Sequence, residues 1–142
     1  MAEKADAVPK PVPDVDEEAM RPFWEGALEG RLMIQRCKQC GAYQGPTAGL
    51  CIECLSESLE WVQASGKGTL HAYGIMHQRY HPGFYDEIPY NVGMVELEEG
   101  PRLNTNILGI SDADLRVGMP VTVTFETVAE GVSLPKFRPA KG

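Results

Sequence analysis

The chain has 142 residues, of which 43% are hydrophobic and 23% charged, and its formal net charge is −7. That length suits one compact unit, or a small module joined to one modest domain, and excludes a second large core. No stretch approaches the roughly 20 apolar residues of a membrane span, and the excess of carboxylates opposes nonspecific nucleic-acid binding, which draws its affinity from Lys and Arg.

Residues 1–13 carry Pro9, Pro11 and Pro13 among small and charged side chains, a composition that buries too little surface to offset ordering entropy, and they are expected to form a flexible arm. The same stretch lacks the apolar core of a secretory signal, so the expected compartment is the cytoplasm. Asp14, Asp16, Glu17 and Glu18 then place carboxylates where a helix N-terminus favours them, ahead of Ala19, Met20, Phe23, Trp24, Ala27 and Leu28. This predicts one amphipathic helix or two short ones. Pro22 marks a place where a helix begins and does not continue through, Gly26 weakens the pattern, and Gly30 ends it.

Leu32 to Arg36 reads as a short strand leading into a cysteine pair, and Leu59 to Val62 as another leaving a second pair. Residues 14–64 are thus expected to hold the helix and a metal ribbon. After the turn at Ser65-Gly66-Lys67-Gly68 the period changes to two, and residues 65–142 read as all β. The expected strands are Thr69 to Gln78, Tyr90 to Glu98, Arg102 to Ile110, Pro120 to Val128 and Val132 to Phe137. A hairpin turn is expected at Glu98 to Pro101, and Ser111 is placed to cap a single helical turn. Five short antiparallel strands after a small metal knuckle suit a Greek-key barrel of the oligonucleotide/oligosaccharide-binding type, the OB-fold. The fold class is therefore mainly β, a helix and zinc ribbon followed by a five-stranded OB-fold.

Cys37, Cys40, Cys51 and Cys54 form two C-x2-C pairs separated by ten residues. Two intervening residues let both sulfurs of a pair converge on one ion while backbone amides point at the thiolates. Gly41 follows the first pair, where a left-handed residue is often needed, and Leu55 stands in the equivalent place after the second. Structural zinc is the favoured reading. Two disulfides, free thiols and iron in a rubredoxin-like electron carrier compete with it.

Elsewhere the sequence has no G-x-S-x-G elbow, phosphate-binding loop or dinucleotide fingerprint, so independent catalysis is not expected. His77 and His81 are four apart, but Pro82 and Gly83 follow, and the pair does not share a helix face. His77 to Tyr85 is aromatic and basic within an acidic chain, as is Leu134 to Pro139. Each reads either as a packed loop or as a docking or ligand surface.

Together, Phe23-Trp24-Glu25-Gly26, Gly30 to Gly41, Cys51-Ile-Glu-Cys54, Leu59 to Val62, Ser65 to Gly68, Pro89-Tyr90, Val95 to Leu97, Asp114 to Val121 and Leu134 to Pro139 carry a resemblance. In their order and spacing the chain resembles the thiolase-associated proteins that join a rubredoxin-like zinc ribbon to an OB-fold, a family long catalogued as a domain of unknown function. The resemblance implies a noncatalytic accessory subunit in a cytoplasmic hetero-oligomer. Its partner would be a thiolase-fold catalytic subunit acting as an acyltransferase or aldolase, and the two would bind or position an acyl-coenzyme A thioester. On that reading Arg79, Lys136 and Arg138 are candidates for coenzyme A phosphates, and Tyr80, Phe84 and Phe137 for stacking or docking. The alternative is a single-stranded nucleic-acid-binding OB module.

Overall fold

A computed structural model of the chain describes residues 9–47 and 49–140. A 3-10 turn at Glu18–Met20 leads into α1 (Arg21–Leu28), so the helical segment is split in two with Pro22 in the first turn of α1, where its missing N–H costs nothing. Of the expected N-terminal carboxylates only Glu18 lies in a first turn, that of the 3-10 element; Asp14 instead accepts the Asp16 N–H at 2.9 Å. The helix ends before Gly30, at φ +77°. Gly26 proves to be a packing requirement. A Cβ there would stand 2.5 Å from Met33 Cγ and 2.9 Å from the Arg31 carbonyl oxygen, so the helix reaches the next strand because this residue has no side chain.

That strand, β1 (Met33–Cys37), pairs antiparallel with β2 (Tyr43–Gln44) and β3 (Leu59–Gln63) in the order β2-β1-β3. The second sheet holds β4 (Lys67–Met76), β5 (Tyr90–Leu97), β6 (Arg102–Thr105), β7 (Pro120–Ala129) and β8 (Val132–Pro139), in the order β6-β5-β4-β7-β8. A parallel bridge between Ile107 and Phe137 joins the two ends of this sheet, with the Leu108 N–H donating to the Phe137 carbonyl at 2.7 Å. This closure gives the OB-type barrel that the alternating pattern leads one to expect.

The third barrel strand is shorter than expected, ending at Thr105 and not at Ile110. Beyond it the backbone leaves β5 for β8, and the buried Asn91 side chain substitutes for the lost ladder. Its Nδ2 donates to the Ile107 carbonyl at 2.9 Å, and its Oδ1 accepts the Ile107 N–H at 2.7 Å. Two buried backbone groups are thereby satisfied where no strand can reach them.

Leu32 and Ile34 of the ribbon side share one buried cluster with Leu70, Val95, Val121 and Phe137 of the barrel. Burial of apolar side chains, worth roughly 1.5–3 kcal/mol for each large one, therefore couples the ribbon to the barrel. The described end of the expected flexible arm lies against this body. Gly83, in a 3-10 turn at Pro82–Glu87, would place a Cβ 2.7 Å from Lys10 Cα, and Lys10 pairs with Glu87 and stands over the Phe84 ring. The rest of the arm, residues 1–8, lies outside the described residues. No described helix is long and apolar enough to cross a membrane.

Candidate functional site

Each cysteine pair sits on a tight turn, and the two turns have the same backbone hydrogen bonds. In the first, the Gly41 N–H donates to the Cys37 carbonyl and the Cys37 N–H to Ala42, both at 2.9 Å; in the second, Leu55 donates to Cys51 and Cys51 to Ser56, again both at 2.9 Å. Gly41 has φ +82° and Leu55 φ +65°, so a leucine takes the left-handed conformation that glycine adopts without strain.

The four sulfurs converge. All lie within 4.8 Å of one another, with Cys37 Sγ to Cys54 Sγ and Cys40 Sγ to Cys51 Sγ both at 3.6 Å. Sulfurs held about 2.3 Å from a tetrahedral zinc stand about 3.8 Å apart, so the arrangement fits the ion. The same distances are far too long for a disulfide bond of about 2.05 Å, which removes the disulfide reading. Cys37 and Cys51 are buried while Cys40 and Cys54 face outward.

Backbone donors prepare the two buried sulfurs for the thiolate state. The Cys40 N–H, 3.4 Å from Cys37 Sγ, leads the influences that bring the Cys37 thiol down from 9.0 to about 6. The Cys54 N–H similarly leads in lowering Cys51. For Cys54 the Ser56 N–H pulls downward, but partial desolvation of the sulfur within the cluster and the neighbouring sulfurs outweigh it and push the thiol up to about 12. Cys40 moves up as well, since against the pull of the Ala42 N–H and of Cys54 stand desolvation and the Cys51 and Cys37 sulfurs. A divalent cation among the four sulfurs displaces the remaining protons, and all four positions of a tetrahedron are then filled by protein.

Behind the knuckles lies a polar network that sequence reading missed. Gln35 and Gln44, register partners on β1 and β2, are 4% and 2% exposed. Gln44 Nε2 donates to Gln35 Oε1 at 3.2 Å and to the Leu50 carbonyl at 3.2 Å, and its Oε1 accepts the Ile52 N–H at 2.9 Å. Gln35 Oε1 also accepts the Thr47 N–H at 3.0 Å. The pair thus ties the loop between the cysteine pairs to β1 and orients the second knuckle. The available signal was spacing, since Gln35 shares a strand face with Cys37.

The six residues expected to meet coenzyme A do not form one site. Phe137 is fully buried in the core, and an enclosed ring offers no face for stacking, so that expectation is corrected. Alternation on β8 turns Lys136 and Arg138 to the opposite face. Lys136 and Phe84 line one cleft of about 970 Å³, with Phe23, Trp24 and the Pro9–Val12 segment. Arg138 lines another, of about 760 Å³, beside Lys67, Glu96 and Glu98. Arg79 and Tyr80 lie outside both; Arg79 stacks 5.3 Å from the Tyr85 ring centroid, and Tyr80 is 73% exposed. His81 Nδ1 accepts the Gly83 N–H at 2.9 Å and caps the 3-10 turn.

Comparison with known proteins places this geometry. A family model described as the ChsH2 rubredoxin-like zinc ribbon domain matches residues 24–60, and one described as the ChsH2 C-terminal OB-fold domain matches residues 61–126. A protein of Thermomonospora curvata named probable enoyl-CoA hydratase alpha subunit is 41% identical over 119 residues, 83% of this chain but 37% of that protein. A DUF35 domain-containing scaffold protein of Methanothermobacter thermautotrophicus is 35% identical over 96 residues, covering 67% of this chain and 71% of the relative. Among solved structures, a chain of the Ltp2-ChsH2(DUF35) aldolase superposes with a TM-score of 0.78 at 36% identity, over 89% of this chain and 98% of that one.

Proposed function

Since the chain belongs to the ChsH2 family of zinc-ribbon and OB-fold proteins, also called DUF35, we propose that it is the noncatalytic accessory subunit of a hetero-oligomeric enzyme acting on acyl-coenzyme A thioesters. Carbon–carbon bond cleavage or formation would be carried out by a thiolase-fold partner. The observation that carries this reading is the correspondence of 98% of a chain of the Ltp2-ChsH2(DUF35) aldolase with this one, in an enzyme whose name joins ChsH2(DUF35) to Ltp2.

The site's chemistry supports the division of labour. Four cysteines on one zinc leave no open position for water or substrate, so Cys37, Cys40, Cys51 and Cys54 act as a clasp. The clasp carries apolar side chains outward, with Ile52 and Leu55 at 66% and 71% exposure on the second knuckle, a surface suited to a protein partner. On this reading the clasp with its helix, expected over residues 14–64, positions the barrel expected over residues 65–142.

Co-expression with a thiolase-fold candidate, followed by size-exclusion chromatography and an aldol-cleavage assay with and without this chain, tests the proposal. Co-elution and a partner activity that depends on the chain are expected. A partner that never co-elutes and is fully active alone would overturn it.

A further inference from the structure

We propose that the cleft between the Pro9–Val12 segment, α1 and the outer face of the barrel binds an apolar acyl or ring body bearing one carbonyl acceptor, with Lys136 as its polar anchor. At about 970 Å³ the cleft is the size of a small-molecule site, roughly 300–1,000 Å³. Its lining includes the aromatic rings of Trp24 and Phe84 and the aliphatic side chains of Val92, Val128 and Leu134. Such side chains take up a hydrophobic body, and the polar groups that line the cleft beside them, Lys10, Glu87, Asn104, Asn106, Glu126 and Lys136 among them, decide the rest of the ligand.

Lys136 is the most buried of these charges, its side chain 14% exposed. Its ammonium has three donors. Asn106 Oδ1 takes one, and the nearest Glu126 oxygen, at 3.8 Å, is within ion-pair range but beyond hydrogen-bond length. Donor capacity is left for a ligand oxygen. Burial also lowers the Lys136 pKa, as expected of a cation with incomplete compensation.

The charges in the lining cancel, Lys10 against Glu87 and Lys136 against Glu126. A polyphosphate therefore meets no net positive field here, whereas a carbonyl needs only a donor. This separates the cleft from nucleotide recognition and suits the acyl end of a thioester. Only that choice of ligand source rests on the accessory-subunit reading; thioester binding is read on the chain alone, without a partner, so the two fail separately.

The full-length zinc-loaded chain in a Trp61→Phe background, where Trp24 is the remaining tryptophan, is titrated with decanoyl-N-acetylcysteamine, its acetyl counterpart and free coenzyme A. Saturable change in Trp24 fluorescence is expected with the decanoyl thioester alone. Val128→Arg, which fills the cleft, should abolish it, and Lys136→Met should weaken it by about tenfold, the worth of a hydrogen bond to a charged group. Absence of a saturable signal, a signal from coenzyme A alone, or binding unchanged in Val128→Arg would overturn the assignment. If Val128→Arg instead spares thioester binding and abolishes co-elution with a partner protein, the cleft is a groove for a protein segment and the assignment falls.

Discussion

Replacing Leu55 with glycine is expected to stabilise the protein, because the second zinc knuckle holds this leucine at φ +65° while the first places Gly41 at φ +82° in the same hydrogen-bonded turn. An L-residue in the left-handed region costs roughly 1–2 kcal/mol. Glycine gives back about 0.5–1 kcal/mol through the greater freedom of its unfolded chain. The leucine side chain is 71% exposed, so its removal forfeits little buried apolar area. The balance is about 0.5–1 kcal/mol in favour of glycine, or roughly 2–5 °C in melting temperature for a chain of this size. Thermal melting of the zinc-loaded protein by circular dichroism measures it, and urea unfolding with an unchanged slope confirms that stability alone has moved. The matching Gly41→Ala variant should lose about 1 kcal/mol, since it introduces the strain that Leu55→Gly relieves. An unchanged or lower midpoint for Leu55→Gly would refute the argument and show that Leu55 makes stabilising contacts.

Gly26→Ala should destabilise despite alanine's better helix propensity, because the new methyl group would press on Met33 Cγ at 2.5 Å and on the Arg31 carbonyl at 2.9 Å. A loss of about 1–3 kcal/mol in urea unfolding is expected from such overpacking. Asn91→Ala leaves the Ile107 N–H and carbonyl without their side-chain partner and should cost about 2–4 kcal/mol, with amide hydrogen exchange quickening first at the β6–β8 closure. Gln44→Ala frees the Ile52 N–H and should lower zinc retention under chelator challenge, read by metal content, by about 10-fold as for other groups that orient metal ligands. Lys136 has a lowered folded pKa, so while charged it opposes folding. Wild-type stability should then rise relative to Lys136→Met as pH increases through that lowered value toward 10.5, and a pH series of melting temperatures checks the sign.

Much of the fold was legible because its determinants are local. A C-x2-C turn is set by hydrogen bonds spanning four or five residues, so the two pairs announced both knuckles, and their distances bring the four sulfurs together as expected. The alternation from Val121 to Thr127 marked a barrel strand, and Pro22 marked where α1 begins. The short strand β2 and the 3-10 turn at Pro82–Glu87 were missed, since neither carries a periodic pattern long enough to read.

The features that escaped the sequence bring together groups far apart in the chain. Phe137 and Lys136 are neighbours in sequence, yet the closing bridge to Ile107 puts one ring in the core and the barrel's outer face puts one ammonium in a cleft, against an expectation that grouped them as one ligand site. Gln35 with Gln44, Asn91 with Ile107, and Gly83 with Lys10 are meetings of the same kind. Nothing within a few residues of any of them specifies the partner, because that contact exists only once loop closure and strand register have been set by the burial of the common core. Local patterns were enough for the cysteine clasp and for the places of the barrel strands, though not for the end of the third; which side chains the closed barrel leaves free to meet a ligand was settled by packing.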